Sequence, residues 1–164
     1  MERLYSPWRN DYVSTTNKIQ GCVFCHISKT PSDDDALGVL YRDDKCFIVM
    51  NKYPYSPGHF MVIPHLHTDK VEDLASDIWA HMSIKAQQGV RMLKDVLNAG
   101  GVNLGMNLGK IGGAGIEQHV HYHIVPRWMG DTNFITSIGD TRIYSTDFEV
   151  IYKKLKENSP KYFI

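Results

Sequence analysis

The most informative stretch of this sequence is His119-Val120-His121-Tyr122-His123-Ile124-Val125-Pro126, in which histidines alternate with apolar residues. Successive side chains of a β-strand point to opposite faces, so this period of two predicts a strand with three imidazoles on one face and Val120, Tyr122 and Ile124 on the other. An unpaired imidazole is costly to bury. Three on one face therefore indicate chemistry, and the apolar face indicates a core.

Two chemistries fit three imidazoles on one face: a three-histidine metal site, or a nucleophilic imidazole oriented by its neighbours. The glycine-rich residues 107–115 lie just upstream. Glycines allow backbone N–H groups to turn toward an anion, as phosphate-binding loops require. The two features together favour a ring nitrogen that attacks phosphorus.

The remaining patterns predict a mixed α and β fold. Apolar runs predict strands, spacings of three and four predict a long helix that ends before Asn98, and Thr146 with Glu149 forms a capping box for a last helix. The predicted elements are strands at Val39–Tyr41, Cys46–Met50, Gly58–Ile63 and Val102–Leu108, a helical turn at Val71–Leu74 and a long helix from about Asp77 to Leu97.

Composition limits the possible partners and the setting. The 164 residues predict one domain, and 18 basic against 18 acidic residues, with a pI near 7.1, remove the bulk electrostatic case for a nucleic-acid or membrane-surface partner. The charged start Met1-Glu2-Arg3 does not match a signal peptide, and no stretch has the ~20 apolar residues of a membrane span. We therefore expect a cytoplasmic protein without a membrane partner.

The three cysteines, an odd number, argue against a disulfide framework. Cys22 and Cys25 have the C-x2-C spacing of half a zinc site, which needs two more ligands. A thioredoxin-like redox site is the alternative, but it would need a βαβ unit that the pattern does not contain. Cys46, followed by apolar residues, is interpreted as a buried thiol.

These motifs resemble the histidine-triad (HIT) family of nucleotide hydrolases and transferases, whose signature is His-x-His-x-His followed by two apolar residues. The resemblance includes residues 51–64 and spans 21–139. It implies an α+β fold with a five-stranded antiparallel sheet, one long helix and a short C-terminal helix. The predicted organisation is an N-terminal arm (1–20), a HIT domain (21–139) and a C-terminal helical extension (140–164). It also implies a homodimer that pairs two sheets through the long helix and neighbouring strands.

The resemblance also implies roles for individual residues. His121 would be the catalytic nucleophile that attacks the α-phosphorus of a nucleotide and carries the nucleotidyl group to an acceptor. Asn51 would contact the ribose hydroxyls, although an ordinary turn residue is the alternative. Phosphate oxygens would be held by Asn107, by the loop amides, including those of Gly113 and Gly115, and by His123. No organic cofactor is expected.

Zinc-bearing HIT proteins, and the related galactose-1-phosphate uridylyltransferases, resemble this chain in their cysteine pair. They complete the metal site with a histidine after the Val-Ile-Pro strand and with the first histidine of the triad. The implied ligands are Cys22, Cys25, His67 and His119, with His65 as the rival of His67. Such a zinc is structural, because four protein ligands leave no open position for water.

The surroundings of the triad resemble the branch that includes small bacterial diadenosine tetraphosphate phosphorylases. Many family members have a hydroxyl residue that helps the leaving group at the position where this chain has Ile116. We expect cleavage of dinucleoside polyphosphates, with inorganic phosphate as acceptor. The alternatives are hydrolysis of dinucleoside polyphosphates or nucleoside phosphoramidates by water, and a non-catalytic zinc-stabilised nucleotide-binding module. Arg127 and Lys110 are candidates to supply positive charge to phosphates.

Overall fold

The computed structural model describes residues 21–139 and 147–164. The predicted arm, residues 1–20, and residues 140–146 of the predicted extension lie outside these ranges, so the division into arm, domain and extension stays a prediction. Within the two ranges, no helix combines the length and the apolar character needed to cross a membrane.

The described residues form five strands, four α-helices and three short 3-10 helices. In chain order they are α1 (Val23–Lys29), a 3-10 helix (Pro31–Asp33), β1 (Val39–Arg42), β2 (Cys46–Met50), β3 (Phe60–Pro64), a 3-10 helix (Val71–Asp73), α2 (Ser76–Leu97), β4 (Gly101–Gly105), β5 (Tyr122–Arg127), α3 (Phe134–Ile138), α4 (Phe148–Asn158) and a 3-10 helix (Ser159–Lys161).

The strands form one sheet in the order β1-β2-β3-β5-β4, and every neighbouring pair is antiparallel. The α+β fold with a five-stranded antiparallel sheet is therefore confirmed. Strands β2 and β3 are buried along their whole length, which explains why both read as continuous apolar runs and not as alternating patterns.

Each face of the sheet packs against a different apolar cluster. The helix-side cluster joins Ile48, Phe60, Val62, Val120 and Ile124 of the sheet region to Met82 and Leu93 of α2 and Leu155 of α4. The α1-side cluster joins Phe24 and Ile27 of α1 to Val39, Phe47, Val49, Met61 and Ile63. The sheet is thus covered on both sides, and the site described below lies on the α1 side.

Helix α2 confirms the predicted long helix and ends where predicted, because Asn98 adopts a left-handed conformation (φ 53°) that terminates it. Gly89 lies where the helix crosses β3. A Cβ atom there would lie 2.7 Å from Cζ of Phe60, so only glycine lets the two elements approach this closely.

Two strand boundaries differ from the prediction by three residues, and the other boundaries differ by two residues or fewer. Strand β5 begins at Tyr122, so His119 and His121 precede it, and β4 ends at Gly105 instead of Leu108. The late start of β5 comes from a contact with a distant segment, because the N–H of Val120 donates to Thr68 O at 2.8 Å and not to a strand neighbour. The predicted separation of faces still holds, since Val120 and Ile124 join the helix-side cluster while His121 lies against Phe24.

The predicted last helix is present as α4, but the predicted cap is wrong. Asp147 is the N-cap residue, and its carboxylate accepts the N–H groups of Glu149 and Val150. Thr146 itself lies outside the described residues. Lys156 and Ser159 then donate to Val39 O and Leu40 O, which fastens this end of the chain to β1.

Candidate active site and metal centre

His121 is held as a neutral imidazole with one free ring nitrogen. Its Nδ1 lies 2.8 Å from the carbonyl oxygen of His119. A carbonyl only accepts, so Nδ1 carries the proton and Nε2 keeps its lone pair. Burial lowers the pKa of His121 below the ordinary histidine value, outweighing the opposite effect of this hydrogen bond. The ring is therefore in the state that a nucleophile needs at neutral pH.

A pair of hydrogen-bonded histidines, His59 and His123, lies beside His121. The N–H of Tyr55 donates to Nδ1 of His59 at 3.1 Å, so the His59 proton is on Nε2, which donates to Nδ1 of His123 at 2.9 Å. The proton of His123 must then be on Nε2. This atom is buried and has no partner among the described residues. It is an N–H donor available to a ligand oxygen.

Both histidines of this pair remain neutral near pH 7. Burial, followed by the positive charge of neighbouring imidazoles, lowers the pKa of His59 to about 3. The same two causes lower the pKa of His123 to about 4. The pair therefore offers hydrogen bonds and not positive charge.

His59 was not assigned a role from the sequence. The feature that could have indicated a role is its position: His59 directly precedes β3, the strand that pairs with β5. A histidine at the start of the neighbouring strand comes within hydrogen-bond distance of the triad.

Asn51 lies at the edge of this pair. Its Oδ1 accepts the N–H of Tyr53 at 2.9 Å, and its Nδ2 lies 3.2 Å from Nδ1 of His59. The side chain thus closes a turn and supports His59. The predicted contact between Asn51 and a ribose stays a prediction.

The glycine-rich loop follows β4 in an exposed position. Asn107 comes two residues after Gly105, which is paired with His123 in the sheet. The N–H of Gly113 donates to Lys110 O at 3.1 Å, so this amide closes a turn instead of facing an anion. Gly115 is exposed. Their predicted roles toward phosphate stay predictions.

Arg127, a candidate to supply positive charge to phosphates, is paired with a carboxylate in the structure. Its guanidinium makes two hydrogen bonds to the carboxylate of Asp131 and one to Asn103, at the far end of β5. Lys110 is exposed on the loop.

Four candidate metal ligands converge on one point. Nδ1 of His119 lies 3.4 Å from Cys22 Sγ, 3.7 Å from Cys25 Sγ and 3.4 Å from His67 Nδ1, and Cys25 Sγ lies 3.1 Å from His67 Nδ1. Tetrahedral zinc with two sulfur and two nitrogen ligands separates its donors by roughly 3.3–3.8 Å. The donor set and its spacing therefore fit a structural zinc.

The neighbours of these ligands support the same interpretation. Nε2 of His119 donates to Pro64 O at 3.0 Å, which leaves Nδ1 unprotonated toward the cluster. Burial, together with the adjacent Cys22, raises the pKa of Cys25, an effect that a bound cation would reverse. The cluster thus has two soft sulfur donors, and Lys29 is the positive charge that acts on Cys25.

His65, the rival of His67, is occupied elsewhere. Its Nε2 donates to Asp43 O at 2.8 Å, and its Nδ1 accepts from the Ser28 hydroxyl at 2.8 Å. Cys46 is also remote from the cluster. It is fully buried in β2, and burial raises its pKa to about 12, as expected of an inert thiol.

Comparison with known proteins adds the family. Residues 35–129 match the HIT domain. The chain is 35% identical over 151 residues to the AP-4-A phosphorylase of Mycobacterium tuberculosis, covering 87% of this chain and 76% of that protein.

Solved structures of histidine-triad proteins have a similar fold. The fold resembles a Zn-bound histidine triad family protein from Mycobacterium smegmatis (29% identity, TM-score 0.70, 86% of this chain and 94% of that chain). It also resembles a hypothetical histidine triad nucleotide-binding protein from Sulfolobus tokodaii (28%, TM-score 0.67, 85% and 93%). Sequence, fold and site together place this chain in the histidine-triad family.

Proposed function

We propose that this protein transfers a nucleotidyl group through a nucleotidyl-His121 intermediate, and that it cleaves dinucleoside polyphosphates. The observation that carries the proposal is the hydrogen bond from His121 Nδ1 to the carbonyl of His119, because it leaves Nε2 free to attack. The prediction of a HIT-family enzyme for phosphoanhydride bonds is confirmed at the level of the family by the relatives.

The reaction has two displacements at the same phosphorus. Nε2 of His121 attacks the α-phosphorus of diadenosine tetraphosphate, the N–P bond forms, and the P–O bond to the departing ATP breaks. The acceptor then attacks the same phosphorus and breaks the N–P bond. With inorganic phosphate as acceptor the second product is ADP, and with water it is AMP. Splitting one displacement into two is the general advantage of covalent catalysis.

The residues around His121 would stabilise the transferring group. The buried N–H of His123 is the donor for a phosphate oxygen, since it has no partner among the described residues. Asn107 and the N–H of Gly115 would hold further oxygens, and Asn51 the ribose. Buried donors aimed at developing negative charge are effective because water is excluded.

Phosphate is the favoured acceptor because of the likeness to a relative named AP-4-A phosphorylase. Hydrolysis of dinucleoside polyphosphates or phosphoramidates is the alternative. Ile116, which packs against the α1-side cluster, offers no hydroxyl for a leaving group. Chromatography of products from diadenosine tetraphosphate distinguishes them: ADP and ATP formed only with phosphate support phosphorolysis, whereas AMP and ATP without phosphate establish hydrolysis.

A non-catalytic nucleotide-binding module is the second candidate function. One relative of known structure is named as a nucleotide-binding protein. The free nucleophilic nitrogen of His121 disfavours this candidate, because a binder needs no nucleophile. Nucleotide binding without any product would establish it.

We further propose a structural zinc held by Cys22, Cys25, His67 and His119, with no organic cofactor. The metal would fasten α1 to the triad and take no part in the transfer. Reduced thiols in this role favour the cytoplasm as the setting. The proposed partner is a small nucleotide, and neither nucleic acid nor membrane is proposed.

A homodimer is proposed from the edge of the sheet. Among the described residues β4 pairs on one side only, and Leu104 on this strand is 45% exposed. Trp79 of α2 is 39% exposed. An open strand edge next to exposed apolar residues suits pairing with a second copy. Light scattering after size-exclusion chromatography tests this, and a monomer at all concentrations would contradict it.

A further inference from the structure

Resting on the proposed function, we infer that Phe24 is a positioning residue that links metal binding in the cysteine pair to the reactivity of His121. Phe24 lies between the two cysteines in α1, and it is 3% exposed. It carries no reactive group. Its role follows from what its ring contacts.

The ring of Phe24 packs against the His121 imidazole and forms one wall beside it. Its centroid lies 5.0 Å from that of His121, at an interplanar angle of 56°. His123 forms a second wall, with centroids 4.8 Å apart and the rings at 78°. The hydrogen bond to His119 O fixes one edge of the imidazole but does not stop it from rocking. The two aromatic walls restrict this motion and so keep Nε2 in one direction.

The same ring contacts a metal ligand. Phe24 meets His119 edge to face, with centroids 5.6 Å apart at 86°. The backbone carbonyl of His119 in turn accepts the proton of His121. Phe24 therefore touches both the metal cluster and the nucleophile.

The two ends of α1 are fastened by different means. At the C-terminal end, Arg42 donates to Ile27 O and Ser28 O at 2.9 and 3.0 Å and pairs with Asp34. At the N-terminal end, the described side-chain polar contacts are those of Cys22 with Nδ1 of His119 and of Cys25 with Nδ1 of His67. Loss of metal would therefore release the end that carries Phe24, while Arg42 keeps the other end in place.

His119, in contrast, is held without metal. Its Nε2 bonds to Pro64 O, and the next residue, Val120, bonds to Thr68 O. The acceptor for His121 Nδ1 thus survives metal loss. Metal loss instead removes the contact of Phe24 with the His121 ring. His121 then keeps its unprotonated Nε2, but this atom is no longer held in one direction. Misplacement by about 1 Å costs up to about 100-fold in rate.

The test compares Phe24→Leu and Phe24→Ala with the control Ile27→Val, which alters the same apolar cluster one turn nearer to Arg42. The first readout needs no nucleotide: diethyl pyrocarbonate acylates free imidazole nitrogen, and tandem mass spectrometry assigns the modified histidine. We expect His121 to react about tenfold faster in zinc-stripped wild type and in both zinc-loaded Phe24 variants, because the wall is lost. Zinc-loaded wild type and Ile27→Val should react slowly.

The second readout is single-turnover transfer. In zinc-loaded Phe24→Leu the nucleotidyl enzyme should form about tenfold more slowly, with KM changed by less than about threefold and zinc content unchanged. Equal acylation rates with and without zinc, unchanged rates in both Phe24 variants, or loss of zinc from Phe24→Leu would overturn the inference. If wild type forms no nucleotidyl enzyme at all, the proposed function fails, and the acylation rates still decide the role of Phe24.

Discussion

The carbonyl oxygen of His119 lies 2.8 Å from Nδ1 of His121, while the side chain of His119 belongs to the four-residue metal cluster. One residue therefore serves two sites: its ring belongs to the proposed metal site, and its backbone carbonyl sets the proton position of His121, the proposed nucleophile.

Replacing the nucleophile should separate binding from turnover. His121→Asn removes the attacking nitrogen but keeps a polar side chain of similar size. We expect turnover of diadenosine tetraphosphate to fall by at least about a thousandfold, while the affinity for AMP changes by less than about threefold. Initial rates and calorimetric titration measure the two quantities. Unchanged turnover refutes the assignment of His121.

Replacing His59 should reduce stabilisation of the transition state and leave substrate binding nearly unchanged. His59→Phe keeps an aromatic ring but cannot donate to His123, whose buried Nδ1 loses its partner. We expect kcat to fall about 10- to 100-fold, because His123 would no longer be held with its proton on Nε2. His65→Phe, which alters a histidine outside both sites, is the control. Equal effects of the two variants would contradict this role.

The buried histidines predict a loss of stability in acid. The pKa of His59 is lowered to about 3 and that of His123 to about 4, so between these values and the ordinary value the unfolded chain binds more protons than the folded one. The contribution of these two groups to the unfolding free energy is therefore constant above about pH 7 and falls as the pH decreases. Each should cost about 2 kcal/mol between pH 7 and 5. Urea unfolding measures this.

The matched variant for the acid effect is His59→Phe. Without the His59 imidazole, the decrease in unfolding free energy between pH 7 and 5 should be smaller by about 2 kcal/mol. An identical pH dependence in the variant and wild type would show that His59 is not held neutral in the folded protein.

Metal content tests the cysteine cluster. Protein never exposed to chelator should hold about one equivalent of zinc, and Cys25→Ser should hold much less and melt at a lower temperature. Cys46→Ala changes a buried cysteine away from the cluster and should retain the metal. Less than about 0.1 equivalent in wild type would argue against a zinc site.

Gly89→Ala tests the packing of α2 on β3. A helix usually gains from this substitution. Here the new Cβ would meet the Phe60 ring at 2.7 Å, so we expect a loss of about 1–3 kcal/mol of unfolding free energy. Gly100→Ala, whose Cβ would have nothing closer than 3.7 Å, is the control and should cost less. A gain in stability at Gly89 would contradict the described packing.

The sequence predicted those features that depend on local period or spacing. Alternation about His121 predicted a chemical face and a core face, and the stop at Asn98 predicted the end of α2. The five-stranded sheet and the ligand set of the cysteine pair came from the family resemblance, and the structure brings the four ligands together. For the alternation about His121 and the helix stop at Asn98, a short segment carries the information by itself.

The features that were missed depend on contacts between distant segments. His59 meets His123 only because β3 and β5 are paired, and Phe24 meets His121 only because α1 lies on that face of the sheet. The start of β5 was misplaced because Val120 bonds to Thr68, which no period reveals. The amide of Gly113 closes a turn within its own loop, and its role toward phosphate stays a prediction.

The most direct test of the central claim is mass spectrometry of the enzyme quenched in acid-free conditions after mixing with diadenosine tetraphosphate in the absence of phosphate. The account predicts an adenylyl group on His121, lost as ADP when phosphate is added. Product formation without any adduct, or an adduct on a residue other than His121, would contradict it.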